Sequence, residues 1–235
     1  MCDRTDARTR AEFGVITDMA LTTDSEPVST PASPNDSAVQ KGQLVIVSGP
    51  SGSGKSTVTK RLREVCTLPL APSVSATTRA PRDGEIEGVD YFFLSDDEFQ
   101  RRRQAGEFLE AKQVFSLGHW YGTLADQVAT GLNAGKWVIL EIDVQGALAV
   151  LEDPRYAPIT IFIHPGSMTE LERRLRDRGT ETEVAIQARL KTAAREMESR
   201  DVYQHQVINE TVDQAVDDIC HILQIHKEST SCSKN

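Results

Sequence analysis

Residues 49–56 read Gly49-Pro50-Ser51-Gly52-Ser53-Gly54-Lys55-Ser56 and match the phosphate-binding loop pattern G-x-x-x-x-G-K-[ST]. The apolar run Leu44-Val45-Ile46-Val47 directly before this loop is typical of a buried strand, and residues 57–66 after it are predicted to form a helix. Strand, glycine loop and helix in this order are the context that the pattern requires. The stretch therefore predicts an α/β fold with a nucleotide-phosphate site at the end of the first strand.

Each residue type in the loop has a physical reason to be there. Glycines let the backbone turn tightly around a phosphate chain, and backbone N–H groups at a helix N-terminus attract anions. Lys55 is predicted to reach the β- and γ-phosphates, and the Ser56 hydroxyl to help hold Mg²⁺. The alternative is a Gly/Ser-rich turn that only caps a helix. Two fixed glycines, a lysine and a hydroxyl are a rare combination by chance, which favours nucleotide binding.

The composition narrows the class of protein. The 235-residue chain has 39% hydrophobic residues and is predicted to form one compact α/β unit with embedded subdomains. No run of about 18 apolar residues is present, so we expect a cytoplasmic protein without a membrane-spanning helix. The formal charge of −9 argues against an extended basic surface for nucleic acid. Four cysteines without C-x-x-C spacing fit free thiols better than a zinc site or a disulfide framework.

The two ends of the chain differ from the rest. Residues 1–40 contain seven acidic and three basic side chains and thirteen Ser, Thr or Pro residues. This leaves too few apolar groups for the segment to fold alone, so a disordered tail is predicted. Arg4, Arg8 and Arg10 would suit an organelle transit peptide, but such peptides are poor in acidic residues. A second, short tail is expected at residues 227–235.

Further apolar patterns indicate alternating strands and helices. Runs at residues 137–142, 159–163 and 207–208 resemble strands buried on both faces of a parallel sheet. Apolar residues at helical spacing predict two helices, with Leu171 and Leu175 in one and Val212, Val216, Ile219 and Leu223 in the other. Thr180-Glu181-Thr182-Glu183 is a candidate capping box. Residues 75–128 break this alternation and are predicted to form an inserted acceptor subdomain.

A second motif lies in this inserted region and reads Thr77-Thr78-Arg79-Ala80-Pro81-Arg82-Asp83-Gly84-Glu85-Ile86-Glu87-Gly88-Val89-Asp90-Tyr91-Phe92-Phe93. Here the sequence resembles the guanylate kinases. It carries T-[ST]-R, a base three residues later, an acid three residues after that, and then Gly and Tyr at three-residue steps. Together with the phosphate loop and the segments that follow, the resemblance covers about residues 42–226.

The resemblance implies a P-loop kinase fold, a three-layer α/β sandwich with a mostly parallel central sheet, an inserted GMP-binding subdomain and a helical lid. The core is expected at about residues 42–74, 129–177 and 201–226. The GMP-binding subdomain is expected at about 75–128 and the lid at about 178–200. One domain at residues 41–226 then lies between the two predicted tails.

The resemblance also assigns residues to the acceptor phosphate. In guanylate kinases the residues that match Arg79, Arg82 and Tyr91 grip the phosphate of GMP, and the one that matches Ser75 lies beside the guanine. The chemistry agrees, because arginine supplies paired donors for phosphate oxygens and tyrosine adds a neutral one. A single arginine is usually a solvated surface charge, but three matching groups at the family spacing favour a site.

Guanine recognition requires acceptors that face the N1–H and the N2 amine of the base, and a carboxylate suits that edge. Three segments resemble those of the family: Phe108-Leu109-Glu110, Tyr121-Gly122-Thr123 and Glu141-Ile142-Asp143-Val144-Gln145-Gly146. Glu110, Thr123 and Asp143 are therefore the guanine-side candidates, and Tyr121 is expected to reach the acceptor phosphate. The stretch from Glu110 to Tyr121 is about two residues longer than in the short family form.

The segment at 141–146 allows other interpretations. Residues 143–146 fit D-x-x-G, a motif of GTPases, but no N-K-x-D segment accompanies it, which disfavours a switch GTPase. Carboxylates at the end of a buried strand can also be helix caps or members of ion pairs. Beside a phosphate loop, a magnesium or substrate role is favoured for Glu141.

The second half of the chain contains the remaining candidates. Residues that match Arg178 and Arg189 contact nucleotide phosphates in the mobile lid of guanylate kinases. Asn209 lies in a segment similar to the adenine side of the family's ATP site, although it also suits a turn. Three further arginines are interpreted as a solvated helix face, namely Arg173, Arg174 and Arg176.

These residues imply transfer of the γ-phosphoryl group from ATP to GMP, and by family resemblance to dGMP, giving ADP and the nucleoside diphosphate. Because the nucleophile is an acceptor phosphate oxygen that is already mostly ionised at neutral pH, no strong base is needed. We expect direct in-line transfer without a covalent intermediate, with charge neutralised by Mg²⁺ and by Lys55, Arg79, Arg178 and Arg189. Two alternatives are a kinase for another phosphorylated acceptor and a non-catalytic guanylate-kinase-like scaffold, a class that typically loses the phosphate loop.

Overall fold

The computed structural model describes residues 42–114, 118–177, 179 and 182–232. The predicted tail at residues 1–40 lies outside them. The described strands are β1 Gln43–Ser48, β2 Leu70–Pro72, β3 Ser75–Thr77, β4 Phe92–Phe93, β5 Phe108–Val114, β6 His119–Leu124, β7 Trp137–Glu141, β8 Ile159–His164 and β9 His205–Ile208. The described α-helices are α1 Lys55–Val65, α2 Asp96–Gln104, α3 Ala125–Asn133, α4 Val144–Leu151, α5 Met168–Asp177, α6 Glu183–Glu198 and α7 Val212–Cys232.

A five-stranded sheet forms the centre of the fold, in the order β2-β7-β1-β8-β9, and its neighbouring strands are parallel throughout. In the middle of β1, Val45 pairs with Ile139 on one side and with Ile159 on the other. The apolar runs at 137–142 and 159–163 are thus strands of this sheet, as predicted. Because parallel strands all end at the same edge, the loops after β1 and β7 lie close together.

The middle of the sheet is buried on both faces, unlike the edge strand β9, where one residue of the predicted run at 207–208 is buried and the other is exposed. Along β1, Val45 and Val47 pack with residues of α1 and α7, while Leu44 and Ile46 pack with residues of α3 and α4 on the other face. All four side chains are at most 3% exposed. A parallel sheet with helices on both faces reads as a continuous apolar run, which explains why β1 shows no alternation in sequence. The predicted three-layer sandwich with a mostly parallel central sheet is confirmed.

The inserted region forms a second sheet of four strands, in the order β4-β3-β6-β5. Its pairs are mixed, since β3 runs parallel to β4 and antiparallel to β6. Helix α2 packs on it through Phe99, which stacks on Phe108 with ring centroids 4.4 Å apart and is fully buried. The last strand ends at Leu124 and α3 returns to the central sheet from Ala125. The predicted boundary at residue 128 thus falls inside α3.

Two other predicted helix bounds differ from the structure. Helix α1 begins at Lys55 rather than at residue 57, and α7 continues to Cys232, six residues into the expected C-terminal tail. Thr180 and Glu181 of the candidate capping box lie outside the described residues. Helix α6 begins at Glu183, and its N-cap is Thr182, whose hydroxyl accepts from the N–H of Ala185 at 3.4 Å. Among the described helices, none is long and apolar enough to cross a membrane.

Candidate active site

The predicted phosphate loop connects β1 to α1, and its shape depends on glycine. Gly49 has φ +138°, and a Cβ at this position would lie 2.1 Å from the carbonyl oxygen of Ile163 on β8. Gly54, the N-cap of α1, has φ +89°, and a Cβ there would lie 2.4 Å from Nδ2 of Asn209. The loop therefore packs directly against the backbone of the neighbouring strand. Two N–H groups of the loop are already used, since Ser53 donates to Pro50 and Ser51 donates to Glu196. The N–H groups of the first turn of α1 have no partner within the helix and are available to an anion.

Lys55 folds back across this loop. Its ammonium donates to the carbonyl oxygens of Gly49 at 2.7 Å and Pro50 at 3.0 Å. Burial lowers the pKa of Lys55, while the nearby carboxylates of Glu141 and Glu196 oppose that shift. Because little water surrounds this ammonium, its attraction to a negatively charged phosphate is screened only weakly. Lys55 is therefore suited to pair with a phosphate bound at the loop.

Asn209 supports the loop from below. Its side-chain amide is buried and donates to the carbonyl oxygen of Ser53 at 2.7 Å. The backbone carbonyl oxygen of Asn209 accepts from Nη2 of Arg174, also at 2.7 Å. Arg174 is thus not part of a solvated helix face as expected, since it is 22% exposed and joins Asn209 and Gly54 in lining a cleft of about 340 Å³. Arg173, 61% exposed, does fit that expectation.

Two oxygen groups meet where α1 begins and β7 ends. The Ser56 hydroxyl donates to Oε1 of Glu141, and the hydroxyl of Thr59 donates to Oε2 at 2.7 Å. Both predicted metal-side residues are therefore in direct contact. A hydroxyl and a carboxylate are donors that suit Mg²⁺, which commonly takes one or two protein oxygens and completes its shell with phosphates and water. The donor set fits that ion.

Arg79 is held in the inserted subdomain by Glu85. Two of its nitrogens donate to the two carboxylate oxygens at 2.9 Å each, and its guanidinium carbon lies 5.3 Å from the centre of the Tyr91 ring. The hydrogen bonds to Glu85 raise the pKa of Arg79, and those from Arg79 lower the pKa of Glu85. Tyr121 lies edge-on to Tyr91 with ring centroids 6.0 Å apart. Arg82 is exposed beside them, and its backbone N–H donates to Glu85.

Glu110 lies on the hairpin formed by β5 and β6. It pairs with Thr123, whose hydroxyl donates to Oε1 of Glu110 at 2.8 Å, and Thr123 pairs in turn with Ser75 of β3. Burial raises the pKa of Glu110. From this pair the strand register continues without a shift to the pair Val114 and His119. The extra length predicted between Glu110 and Tyr121 therefore does not move Thr123 away from its position opposite Glu110. The hydrogen bond to Thr123 leaves Oε2 of Glu110 beside α4.

Asp143 faces Glu110 from the end of β7. It is the N-cap of α4, and its Oδ1 accepts from the N–H of Gly146 at 2.9 Å. A Cβ on Gly146 would lie 3.1 Å from Oε2 of Glu110, so the glycine allows the hairpin to approach the helix. The other oxygen of Asp143, Oδ2, forms an ion pair with Lys112 of β5. The candidate guanine-side carboxylates thus come from both sheets.

The region predicted as a lid is described in part, and Arg178 lies outside the described residues. Helix α6 packs on α5 through an apolar cluster that includes Leu171. Its Arg189 donates to the Ser51 hydroxyl at 3.0 Å, and its Glu196 accepts from the N–H of Ser51 at 3.4 Å. Burial raises the pKa of Glu196. One residue of the phosphate loop is therefore held from two positions along α6.

Residues of both predicted sites line one cavity of about 480 Å³. The residues predicted from sequence that line it are Ser51 and Arg189 on the donor side, Ser75, Tyr91, Glu110, Tyr121 and Asp143 on the acceptor side, and Glu141. Arg79 and Thr123 connect to it through their contacts with Tyr91 and Glu110. The cavity thus brings a residue of the phosphate loop and the carboxylates predicted for the acceptor side to one place.

Four charged residues of this region were not predicted from the sequence to be site residues. Glu85 could have been noticed as the acid of the motif at 77–93. Lys112, Arg174 and Glu196 carry no local signal of these contacts, because the partners Asp143, Asn209 and Ser51 are distant in sequence. Glu196 and Ser51, for example, are 145 residues apart. They are found only once the fold brings them together.

A family model and curated relatives match most of the chain. The sequence model of the family described as guanylate kinase matches residues 41–226. A guanylate kinase from Rhodopirellula baltica is 66% identical over 200 residues, which are 85% of this chain and 96% of that protein. One from Fusobacterium nucleatum is 46% identical over 183 residues, 78% of this chain and 96% of that protein.

A solved structure extends the likeness to three dimensions. The crystal structure of guanylate kinase from Anaplasma phagocytophilum matches with a TM-score of 0.64 at 36% identity, covering 80% of this chain and 87% of that one. The matched range of the family model contains the phosphate loop, both sheets and the residues of the cavity. On these grounds the chain belongs to the guanylate kinase family.

Proposed function

We propose that the chain transfers the γ-phosphoryl group of ATP to GMP, and also to dGMP, through the residues assigned below. The observation that carries the proposal is the shared cavity, in which Ser51 of the phosphate loop and Arg189 face Glu110, Tyr121 and Asp143. A donor site and an acceptor site that share one cavity allow direct transfer between two bound nucleotides. The products are ADP and the nucleoside diphosphate.

Guanine is held by the carboxylates at the junction of the two sheets. In this proposal Oε2 of Glu110 accepts from the N1–H and N2 amine of the base, while Thr123 fixes the other oxygen. Asp143 accepts from the N2 amine, and Ser75 lies beside the base. Adenine carries neither of these two donors in that arrangement, so the pair of carboxylates selects guanine.

The acceptor phosphate is held by Arg79, Arg82, Tyr91 and Tyr121. Arg79 already has its guanidinium oriented by two hydrogen bonds to Glu85, which reduces the freedom lost when a phosphate binds. The nucleophile is an oxygen of this phosphate, whose second pKa is about 6, so no general base is required.

Catalysis consists of positioning and charge neutralisation. Lys55 and Arg189 act from the phosphate loop and from α6, Arg79 acts from the acceptor side, and Arg178 is assigned to the same task by its match to the family. Asn209 and the backbone of the loop position the ATP. The phosphoryl group passes in line from one phosphate oxygen to the other, and no covalent enzyme intermediate forms.

Ser56 and Glu141 would hold the Mg²⁺ that accompanies ATP, because the hydroxyl and carboxylate are already in contact. Bound there, the ion would supply positive charge beside the phosphates. Both substrates are nucleotides of the intracellular pool, which supports a cytoplasmic location. The alternative of a non-catalytic scaffold is disfavoured, since Gly49 to Ser56 retain every fixed position of the phosphate loop pattern.

Coupled ADP release from the purified protein tests the proposal, with ATP and Mg²⁺ and with GMP, AMP, UMP, CMP or no acceptor. We expect turnover that depends on GMP, with the other acceptors near background. Glu110→Gln should lower kcat/KM for GMP by about tenfold to a hundredfold or more, because a charged hydrogen bond is lost. Glu107→Gln is the control, since Glu107 precedes the same strand outside the cavity. GMP-independent turnover, or equal effects of the two substitutions, would refute the assignment.

A further inference from the structure

Lys112 lines the active-site cavity, and none of the roles above uses it. It lies on β5 two residues after Glu110, and its partner across the hairpin is Tyr121. Residues two apart on a strand point to the same face, as do residues paired across an antiparallel ladder. Glu110, Lys112, Tyr121 and Thr123 therefore form one patch on the hairpin, which we call the hairpin face.

The ammonium of Lys112 is occupied by Asp143. It pairs with Oδ2, while Oδ1 of the same carboxylate caps α4 through the N–H of Gly146. The two side chains are 29% and 30% exposed, so water reaches the pair in part. An ion pair of this kind can exchange partners when a ligand enters.

Lys112 stands among carboxylates near the phosphate loop. Burial lowers the pKa of Lys112, and Glu110 and Glu196 oppose that shift. Lys112 in turn lowers the pKa of Lys55 as a nearby like charge, after the larger effect of burial. Lys112 is thus a half-buried cation in the shared cavity, close enough to Lys55 and Glu110 for their charges to interact. Each phosphate group that binds in this cavity adds up to two negative charges.

We propose that Lys112 is a phosphate-binding residue of the acceptor site, which leaves Asp143 when GMP binds and donates to the acceptor phosphate. The inference rests on the proposed function, because it takes the acceptor phosphate to lie at Arg79, Tyr91 and Tyr121. Release of Lys112 also leaves Oδ2 of Asp143 open to the N2 amine of guanine. Phosphate binding and base recognition are then coupled through one side chain.

Lysine can also recognise guanine itself, by donating to O6 and N7. The register of the hairpin favours the phosphate. Lys112 lies directly opposite Tyr121, the phosphate-side residue, whereas Glu110 and Thr123 on the guanine side lie about 7 Å farther along the strands. Of the two β5 residues on the hairpin face, Lys112 is thus the one whose backbone lies beside the phosphate-side residue.

Comparison of GMP with guanosine separates the two ligand parts. Dissociation constants of both are measured by calorimetry for the wild type, Lys112→Met and the control Lys191→Met, an exposed lysine on α6. We expect Lys112→Met to weaken GMP by about tenfold to a hundredfold and to leave guanosine unchanged or tighter, because only GMP carries the phosphate. Lys112→Arg, which keeps the charge, should recover part of the GMP affinity. Circular dichroism and Tm establish that each variant is folded.

Three outcomes would overturn the proposal. Equal weakening of GMP and guanosine would place Lys112 at the base, and no change in either would remove it from the site. The third outcome is found in the double variant Lys112→Met/Asp143→Asn. If the ratio of the dissociation constants of GMP and guanosine returns there to the wild-type value, Lys112 acts only by neutralising Asp143. Absence of GMP-dependent ADP release in the wild type would instead refute the proposed function, and the ratio would still decide whether Lys112 binds the phosphate.

Discussion

Gly49→Ala tests whether the phosphate loop is held in place by its contact with β8. Two costs add at this position. A non-glycine residue at φ +138° costs about 1–3 kcal/mol. The new Cβ would lie 2.1 Å from the carbonyl oxygen of Ile163, where contact normally begins near 3.4 Å, and forcing the strand away costs about 1–3 kcal/mol or more. We therefore expect a loss of about 2–6 kcal/mol, which lowers Tm by about 4–24 °C in a domain of this size.

Gly106→Ala is the matched control for the backbone term alone. Gly106 has φ +71°, and nothing lies within 4 Å of a Cβ placed there. Its replacement should cost about 1–2 kcal/mol, or about 2–8 °C in Tm. Thermal unfolding followed by circular dichroism compares the two variants, and calorimetry compares their affinity for ATP. Equal losses of Tm would refute the reasoning, because the clash with Ile163 would then contribute nothing.

Three further predictions concern individual side chains. Glu110→Gln should raise Tm at neutral pH by about 2–4 °C, because burial penalises the wild-type carboxylate. In thermal melts at falling pH this gain in Tm should shrink, because the wild-type carboxyl becomes protonated as the pH passes its raised pKa. A gain that stays constant with pH would contradict this explanation. Asn209→Ala should destabilise the fold by about 1–3 kcal/mol, because the backbone carbonyl oxygen of Ser53 loses its hydrogen-bond donor. The same substitution should raise KM for ATP but not for GMP in steady-state assays. Arg174→Met should also raise KM for ATP, severalfold, whereas Arg173→Met should not; equal effects would remove Arg174 from the ATP side.

Three of the five strands of the central sheet were predictable because they are buried on both faces. β1, β7 and β8 appear as short, mainly apolar runs, which no solvent-facing position interrupts. The strands of the second sheet gave no such signal. β3 and β4 have only three and two residues, and β5 carries Glu110 and Lys112 on its cavity face, so polar side chains replace the apolar half of the pattern.

The active site was predictable where its residues follow one another in fixed motifs. The phosphate loop and the stretch from Thr77 to Phe93 each combine a backbone shape with a set of side chains at fixed spacing, so both can be recognised in a single sequence. Contacts between motifs cannot be recognised in this way. Whether Arg174 faces water or Asn209 depends on how α5 packs beside β9, which local spacing does not encode. The same holds for Glu196 at the phosphate loop.

Asp143 performs two tasks with one carboxylate, and this limits how the position can evolve. Oδ1 caps α4, and Oδ2 faces the cavity beside Lys112. A change to alanine would remove both at once, with about 0.5–2 kcal/mol lost from the cap alone. A lineage that no longer used guanine would therefore still be selected to keep a capping side chain here. Asparagine is the substitution that drift would accept first, because it preserves the cap while removing the charge.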